Sequence, residues 1–512
     1  MHPLSRFVVT ALLSIASSVV SAGQRVAVVR ANTYERIVAA MLQANSSGRE
    51  TIIRVAPGTY LLTQRFGEPG SESGLPVVTG QIAIEGRGVA STVFKGSGTF
   101  DETASRLFTV AAGGRLLLSG ATLESGIARC PDEPCRERGG GAVLNQAGTV
   151  WIEDCELHNN ISSDFAGGNN VTYGGAILSL RGHLHVENST IDGNRAGKAG
   201  GGIAVVGGSA TLLRSNVRSN RSGAGIRAQY IYGAGLYVED ASVWITGSTI
   251  SGNSSVNVFE YWVGFGAGIF NNGGRVWMKN SAVVENRVFP YGGGGGINNM
   301  GTMEIENSTV SGNSAGTRGG GILNLRTLTL RGITVAGNEV LGNSGHGQGG
   351  QPVYPAGCDI DPESQKFCVA NGAGIWTDAS AITQIANSVV ANNLRGIVNS
   401  TEQAPADCAG KLVSFGRNAI GNTVDCAIDR RGDTSWFGEN LTNLDVRLGA
   451  LQDDGEAGHA HMAPLDNSPL IDQGGRVPDR CAQRDQLGQR RNDGDADGKI
   501  RCDIGSVEFV GP

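Results

Sequence analysis

Two short motifs recur along this chain of 512 residues and restrict the folds that it can adopt. One is a glycine cluster followed by an apolar residue, as in "GAGI" at 266 and "GGGI" at 294. The other is an apolar residue, any two residues and an asparagine, at positions 157–160, 191–194, 217–220, 250–253, 283–286, 310–313, 335–338 and 389–392. The asparagine spacing indicates a repeat of about 26 residues that is lengthened in places by insertions.

Between these motifs, apolar and polar residues alternate, as in "GTMEIENSTV" at 301 and "GHLHVENSTI" at 182. A period of two is typical of short strands, whereas an α-helix would need a period of 3.6. Short strands at a fixed repeat predict a parallel β-solenoid, in which each strand pairs with its equivalent in the next coil, about 4.8 Å away. We expect the recurrent asparagines to stack through their side-chain amides at one corner of the coil.

The coils resemble the right-handed parallel β-helix of the pectin-lyase-like fold. Glycine clusters such as "GGAI" at 174, paired with the asparagine motif, are similar to the repeats of polymorphic outer-membrane proteins, although Leu, Ile or Val stands where those repeats usually carry Phe. The stretch "RIVAAMLQANSSGRETIIRVAPGTYLL" at 36 looks like the start of such a fold. The resemblance implies an all-β solenoid whose first coil is covered by an amphipathic helix.

Three motifs near the C-terminus, "NSPLIDQGG" at 467, "RDQLGQRR" at 484 and "RCDIGSVE" at 501, resemble the end of bacterial choice-of-anchor Q proteins. In that family the segment closes the β-helix with an irregular cap and often precedes a surface anchor, which does not follow here. A signal-peptide pattern, the repeats and the resemblances together divide the chain into a signal peptide at 1–22, an N-terminal helix and first strand at 23–65, coils at 66–430 and a closing segment at 431–512.

The first residues follow the pattern of a secretory signal peptide. Arg6 precedes a run of apolar and small residues from 7 to 20, and small residues at 20 and 22 predict cleavage after Ala22. This run is shorter than the roughly 18 residues that a membrane span needs. We therefore expect an exported protein without a membrane span, either secreted or held at the outer surface.

The charge and the cysteines fit an extracellular protein. A formal net charge of −6 without a basic run argues against a nucleic-acid partner. Eight cysteines form local pairs that are disulfide candidates in an exported chain: Cys130 with Cys135, Cys358 with Cys368, Cys408 with Cys426, and Cys481 with Cys502. The ninth, Cys155, lies in the strand-like run "TVWIEDCEL", where we expect a buried free thiol.

The insertions fall after the asparagine motif and before the next glycine cluster, at 161–173, 221–232, 254–265 and 287–292. Because equivalent positions of stacked coils lie on one side, these loops should form one wall. Ten of their 43 residues are aromatic, against 6% of the chain: Phe165, Tyr173, Tyr230, Tyr232, Phe259, Tyr261, Trp262, Phe265, Phe289 and Tyr291. The rings either pack on one another or, together with Arg227 and Arg287, line a glycan groove.

Carboxylates in the same loops, Asp164 and Glu260, are weak candidates for a general acid and base. Near the C-terminus, Asp493, Asp495 and Asp497 have the spacing of a calcium loop, with Asp503 as the next carboxylate. An Asp-Gly turn is the alternative to a structural calcium ion, and no other cofactor is required.

Three functions remain open from the sequence. The first is an exported protein of the cell surface or medium that binds polysaccharide or cell-surface glycan without catalysis. The second is a polysaccharide lyase or glycoside hydrolase that uses carboxylates of the aromatic loops. The third is a structural or adhesive exoprotein. The sequence indicates no oligomeric state.

Overall fold

A computed structural model of the chain describes residues 26–68, 71–99, 104–129, 137–162, 171–223, 230–256, 263–289, 291–341, 371–396, 402–431, 438–476, 481–491 and 500–509. Nearly all of the regular structure in these residues is β-strand, and equivalent strands of successive coils pair in parallel ladders. The chain is therefore a parallel β-solenoid, as the repeat predicted.

The largest sheet, sheet A, has 23 strands in two rows. Its first row follows the glycine clusters and contains Phe108–Val110, Val143–Gln146, Ile177–Leu180, Ile203–Val206, Leu236–Glu239, Ile269–Asn272, Ile297–Asn299, Ile322–Asn324 and Ile375–Thr377. Its second row contains Ala27–Ala31, Thr51–Val55, Gln81–Glu85, Arg115–Ser119, Thr149–Glu153, His183–Glu187, Ser209–Leu213, Ser242–Thr246, Arg275–Lys279, Thr302–Glu306, Thr327–Arg331, Ile382–Ala386, Cys408–Ser414 and Cys426–Arg430.

Three further sheets complete the coils. Sheet B contains Gly58–Leu61, Thr92–Lys95, Thr122–Glu124, Glu156–His158, Thr190–Asp192, Asn216–Arg218, Thr249–Ser251, Ala282–Val284, Thr309–Ser311, Thr334–Ala336, Val389–Ala391, Ala419–Ile420 and Leu441–Thr442. Sheet C contains Ile127–Ala128, Ile161–Ser162, Arg195–Ala196, Arg221–Ser222, Ser254–Val256, Arg287–Phe289, Ser314–Ala315, Glu339–Val340, Leu394–Gly396 and Gln403–Pro405. Sheet D contains Tyr230–Tyr232, Val263–Phe265 and Tyr291–Gly293.

Alternation along each strand separates the core from the surface. In the strand His183–Glu187, for example, Leu184 and Val186 point inward and are buried, while the other three positions face outward. At the corner that precedes sheet A the backbone turns sharply, and Gly200 has φ +65° with no room for a Cβ atom, which would lie 2.6 Å from the carbonyl oxygen of Ile203. A glycine is needed there for both reasons.

The recurrent asparagines form the predicted ladder at the corner between sheets B and C. The Nδ2 of Asn160 donates to the Oδ1 of Asn194 at 3.0 Å, and the same contact recurs in the following coils. The prediction was wrong by one residue at the last motif, 389–392. Strand register aligns Val390 with Val335, so Asn393 and not Asn392 occupies the ladder position.

The ladder ends on a carboxylate. The backbone N and the Nδ2 of Asn393 donate to the Oδ1 of Asp407 at 2.8 and 2.9 Å, and the backbone N of Asn422 donates to its Oδ2 at 2.7 Å. Although these donors favour the charged form, burial outweighs them and raises the pKa of Asp407 to about 6.

A second ladder, of serines, runs along the corner between sheets A and B, and Cys155 occupies its first position. The backbone N of Cys155 donates to the Oγ of Ser189 at 3.1 Å, as the backbone N of Ser189 does to the Oγ of Ser215 at 3.2 Å. Cys155 is buried and free, as predicted, although it lies at this corner and not inside a strand. Burial raises its pKa to about 12, which keeps the thiol protonated and unreactive.

The α-helix, α1, spans Tyr34–Ser47 near the N-terminus. The Oγ1 of Thr33 accepts from the backbone N of Arg36 at its start, and Gly48 ends it at φ +62°. Its Ile37 and Met41 are fully buried in the apolar cluster that contains Ile53 of sheet A. In the described part of the chain there is no helix with the length and apolarity that a membrane crossing requires.

The described parts of residues 444–509, which we call the C-terminal segment, lie along the outer face of sheet B. The coils continue as far as the strand Leu441–Thr442, beyond the predicted limit at 430. From there the segment runs back along the solenoid, where Ala460 packs on Ala282 and the backbone N of Gly458 donates to the Oγ1 of Thr249 at 2.7 Å. The segment is irregular, as the resemblance implied, but its course along the side was not indicated by the sequence.

Candidate functional site

The loop insertions lie at one corner of the coils, between sheet C and the next strand of sheet A. The ends of three insertions pair in parallel as sheet D. The same ladder continues through bridges of Tyr173 with Ala199, Ala199 with Tyr232, and Gly293 with Arg318. The described ends of the insertions therefore form one wall, as the repeat predicted.

Aromatic residues of this wall pack against the outward side chains of sheet A. Tyr173 is only 5% exposed and lies 5.4 Å from Tyr237, measured between ring centroids. The ring of Tyr232 lies 4.6 Å from Phe270 and 6.2 Å from Phe265. Burial raises the pKa of both Tyr232 and Tyr237. These rings stabilise the loops on the solenoid by contacting one another, which weakens the argument for an open glycan groove at this wall.

Other predicted residues lie at the rim of the same wall. Tyr230 stacks on Phe265 at a centroid distance of 6.5 Å. Phe289 is 41% exposed, and the guanidinium of Arg287 lies 4.7 Å from the centre of its ring. The remaining loop candidates lie outside the described residues: Asp164, Phe165, Arg227, Phe259, Glu260, Tyr261, Trp262 and the side chain of Tyr291.

A different aromatic surface lies on the second row of sheet A. Trp244 and Trp277 are register partners in adjacent coils, and both point outward because they are the central residues of their five-residue strands. Their rings are nearly parallel, with an angle of 9° and a centroid distance of 5.0 Å. Trp244 is 37% exposed, and Trp277 is partly exposed.

Polar side chains surround the two tryptophans. We call the two rings and these polar neighbours the tryptophan face. Ser242 and Thr246 flank Trp244 along its strand, and the exposed Arg275 and Lys279 flank Trp277. This face is not among the predicted glycan-binding sites, which lie in the insertions. The signal was present in "SVWIT" and "RVWMK", where period two places both tryptophans on the outside.

A groove of about 630 Å³ lies in later coils, at the end of the same row of sheet A. Strand register carries the row from Trp277 to Glu304, Thr329 and Gln384 in successive coils. The groove is lined by side chains of this row, of the corner that follows it and of the C-terminal segment: Glu306, Thr329, Arg331, Gln384, Arg417 and Cys481.

A pair of carboxylates lies on the same row nearer the N-terminus. Glu153 and Glu187 are register partners in adjacent coils. Glu187 pairs with Arg214 and with the Nε2 of His185, at 3.0 Å, and the His185 ring stacks on Trp151 at 3.7 Å. Burial, followed by the neighbouring charge of Glu187, raises the pKa of Glu153. One carboxyl group is thus biased towards its protonated form, while the other faces two basic groups.

The cysteine pairs have different outcomes. Cys408 and Cys426 form the predicted disulfide. Cys481 and Cys502 are close neighbours that are not joined in the structure. Cys130, Cys135, Cys358 and Cys368 lie outside the described residues.

The proposed calcium loop is largely outside the described residues, because these do not include Asp493, Asp495 and Asp497. Asp503 is described and is buried, and its oxygens accept from the backbone N of Asp472 at 2.8 Å and of Phe509 at 2.6 Å. Among the residues whose placement is known, no three His, Cys, Asp or Glu side chains are arranged to hold a metal ion.

Comparison of the sequence with protein-family models finds no match, and comparison with curated proteins finds none either. The residues of the solenoid itself must therefore support any functional inference.

Proposed function

We propose that this chain is an exported β-solenoid protein that binds polysaccharide or other cell-surface glycan without catalysis, and that it does so through the tryptophan face. The observation that supports this proposal most directly is the stacked, near-parallel pair Trp244 and Trp277, of which Trp244 is exposed and Trp277 is partly exposed. A single surface tryptophan needs no explanation, but two stacked register partners place two apolar rings side by side among polar neighbours.

The chemistry of the face suits a sugar chain. The apolar side of a pyranose ring packs on an aromatic ring, while its hydroxyl groups need donors and acceptors nearby. Ser242, Thr246, Arg275 and Lys279 supply such groups around the two rings. Coils about 4.8 Å apart present equivalent side chains at a regular spacing, which suits a ligand that is itself a repeating chain.

The sequence adds support for the cellular context. The signal-peptide pattern that ends at Ala22 favours export. The similarity of the coils to the right-handed repeats of polymorphic outer-membrane proteins, and of residues 467–508 to choice-of-anchor Q proteins, favours a role at the bacterial surface. Neither similarity specifies an activity, because a fold of this kind can carry many functions.

The test is a glycan array combined with a screen for polysaccharide degradation, using wild type and the variants Trp244→Ala and Trp277→Ala. We expect each variant to weaken glycan binding about tenfold, which corresponds to ~1.4 kcal/mol. Thr211→Ala is the matched control, since Thr211 is the register partner of Trp244 in the preceding coil. Both tryptophans face outward, so thermal unfolding should change little. Wild-type affinity in the tryptophan variants, or no response to any glycan, would contradict the proposal, and the latter would favour a structural or adhesive role.

A second candidate function, glycoside hydrolysis, is favoured by the pair Glu153 and Glu187. The two residues are register partners on adjacent coils, which lie about 4.8 Å apart, and their different surroundings suit an acid and a nucleophile. The degradation screen separates this function from binding alone. Product release that is lost in Glu153→Gln and Glu187→Gln would establish catalysis at this pair, and binding without any product would exclude it for the glycans tested.

A further inference from the structure

Two thiols lie side by side where the C-terminal segment crosses a corner of the solenoid. The Sγ atoms of Cys481 and Cys502 each lie 3.3 Å from the carbonyl oxygen of Gly475. The corner residue Asn387 donates from its Nδ2 to the Sγ of Cys502 at 3.2 Å and accepts from the backbone N of Gly475 at 2.9 Å. The pair is thus held in place by the solenoid as well as by the segment.

The two thiols have different surroundings. Cys481 is partly exposed and lines the 630 Å³ groove. Cys502 is fully buried behind it. The hydrogen bond from the Cys502 thiol holds the pKa of Cys481 below its usual value, whereas burial raises the pKa of Cys502. Accessibility and thiolate character therefore coincide at Cys481.

We propose that Cys481 and Cys502 are a reactive dithiol that a low-molecular-weight disulfide oxidises to an intramolecular disulfide, with Cys481 reacting first. The Cys481 thiolate attacks one sulfur of the reagent, which forms a mixed disulfide and releases one thiolate. The Cys502 thiol then gives its proton to the thiolate released in the first step and attacks the Cys481 sulfur, which releases the second thiolate; this thiolate takes up from solvent the proton that Cys481 had lost. Two protein thiols are oxidised, and one reagent disulfide is reduced to two thiols.

The bond would restrain the part of the C-terminal segment that contacts the middle of sheet B. The residues between the two cysteines include Gln486, whose Oε1 accepts from the Oγ1 of Thr309 at 2.7 Å, and Arg491, whose Nη2 donates to the Oδ1 of Asn307 at 3.3 Å. Closing this loop limits the opened states of the segment. The oxidation state of the pair then sets how tightly the segment is held on the solenoid.

The experiment treats the reduced full-length protein with glutathione disulfide and maps every cysteine by peptide mass spectrometry. In wild type we expect a bond between Cys481 and Cys502. In Cys502→Ser, glutathione should remain attached to Cys481, whereas in Cys481→Ser the buried Cys502 should stay unmodified. Cys155 is the internal control, because it is a buried thiol without a thiol neighbour among the described residues.

Limited proteolysis of the oxidised and reduced wild type then measures the restraint. We expect cleavage within the C-terminal segment to be at least about tenfold slower in the oxidised protein. Two free thiols after saturating oxidant would overturn the pairing. Equal glutathione attachment to the two single variants would overturn the order of reaction, and equal cleavage rates would overturn the restraint.

Discussion

The outer face of sheet B carries different side chains in its earlier and its later strands. In the strands before Thr249–Ser251 its outward positions carry charged side chains that pair between coils. The Nζ of Lys95 lies 2.6 Å from a carboxylate oxygen of Glu124, which also accepts from His158, and Arg218 lies 3.6 Å from Asp192. Beyond this point the register partners are Ala, Ser, Thr and Val, and most are buried under the C-terminal segment.

The inward positions do not distinguish these two parts. Leu157 and Ile191 in the charged part, and Val283 and Val310 in the covered part, are all fully buried. Coils with the same kind of core therefore have either a solvated or a covered outer face, and only their outward side chains differ. Small residues allow an irregular segment to approach the backbone, and threonine hydroxyls satisfy polar groups that the cover removes from water.

The largest expected loss of stability comes from breaking a buried ion pair within the C-terminal segment, which covers this part of sheet B. Arg491 and Glu508 are paired within the C-terminal segment, and both side chains are almost completely buried. Arg491→Ala leaves Glu508 without its partner, so we expect a loss of about 3–5 kcal/mol in the free energy of unfolding. The matched control is Arg54→Ala, which removes an exposed pair with Glu85 and should cost at most about 1 kcal/mol. Urea unfolding measures both, and similar losses would break the comparison.

The asparagine ladder runs beside both parts of sheet B. The carboxylate at its end, Asp407, contributes to the stability of the coils and not to that of the cover. Burial raises the pKa of Asp407, at the ladder's end, from 3.8 to about 6. The corresponding stability is fully present below about pH 3.8 and is lost as the pH rises through 6, a change of about 2–3 kcal/mol.

Urea unfolding at pH 4.5 and 7.5 measures this change. In Asp407→Asn the titrating group is absent, so the difference between the two pH values should shrink. The variant retains an acceptor for Asn393 but loses the one for the backbone N of Asn422. An unchanged pH dependence in the variant would show that another group is responsible.

A long side chain at a covered position should displace the segment. Ala282 is fully buried beside Ala460, and Ala282→Arg should cost about 1–3 kcal/mol and make residues 444–509 more accessible to protease. Thr190→Arg is the control at the same register in the charged part, where we expect a change within about 0.5 kcal/mol. Equal protease sensitivity of the two variants would mean that the segment is not held by close packing.

The smallest effect should come from a single hydroxyl group. The Oγ1 of Thr309 donates to Gln486 and contacts the Oγ of Ser506 at 2.9 Å. Thr309→Val leaves both partners without this contact beneath the cover, so we expect a loss of about 1–2 kcal/mol. Thr190→Val in the charged part should have almost no effect. Thermal unfolding of the two variants measures the difference. If Thr309→Val leaves the stability unchanged, water has replaced the hydroxyl group.

Much of the structure of the coil could be predicted from the sequence, because the patterns that determine it lie within short stretches of the chain. Period two fixed which residues face the core, and the asparagine spacing predicted the ladder, with an error only where two adjacent asparagines made the register ambiguous at Asn392 and Asn393. The wall of insertions followed from the same stacking. The tryptophan face was also encoded in strand periodicity, but its importance depends on register between coils that are separated by 33 residues.

Other features were not readable, because they depend on which distant surfaces meet. Whether loop aromatics such as Tyr173 and Tyr232 are exposed depends on the side chains of sheet A beneath them. The course of the C-terminal segment was hidden for the same reason, although the change from charged to small outward residues in sheet B was a sign that a cover exists.

The sequence by itself determined the repeating unit: the alternation that forms the core, the asparagine ladder and the corner at which insertions occur. These depend on hydrogen bonds and burial within one coil or between neighbouring coils, so each repeat carries its own information. Only the tertiary structure decided which outer surfaces are free. The C-terminal segment removes one face from solvent and leaves the tryptophan face open, and that choice depends on contacts such as Ser506 with Thr334, which are 172 residues apart in the chain.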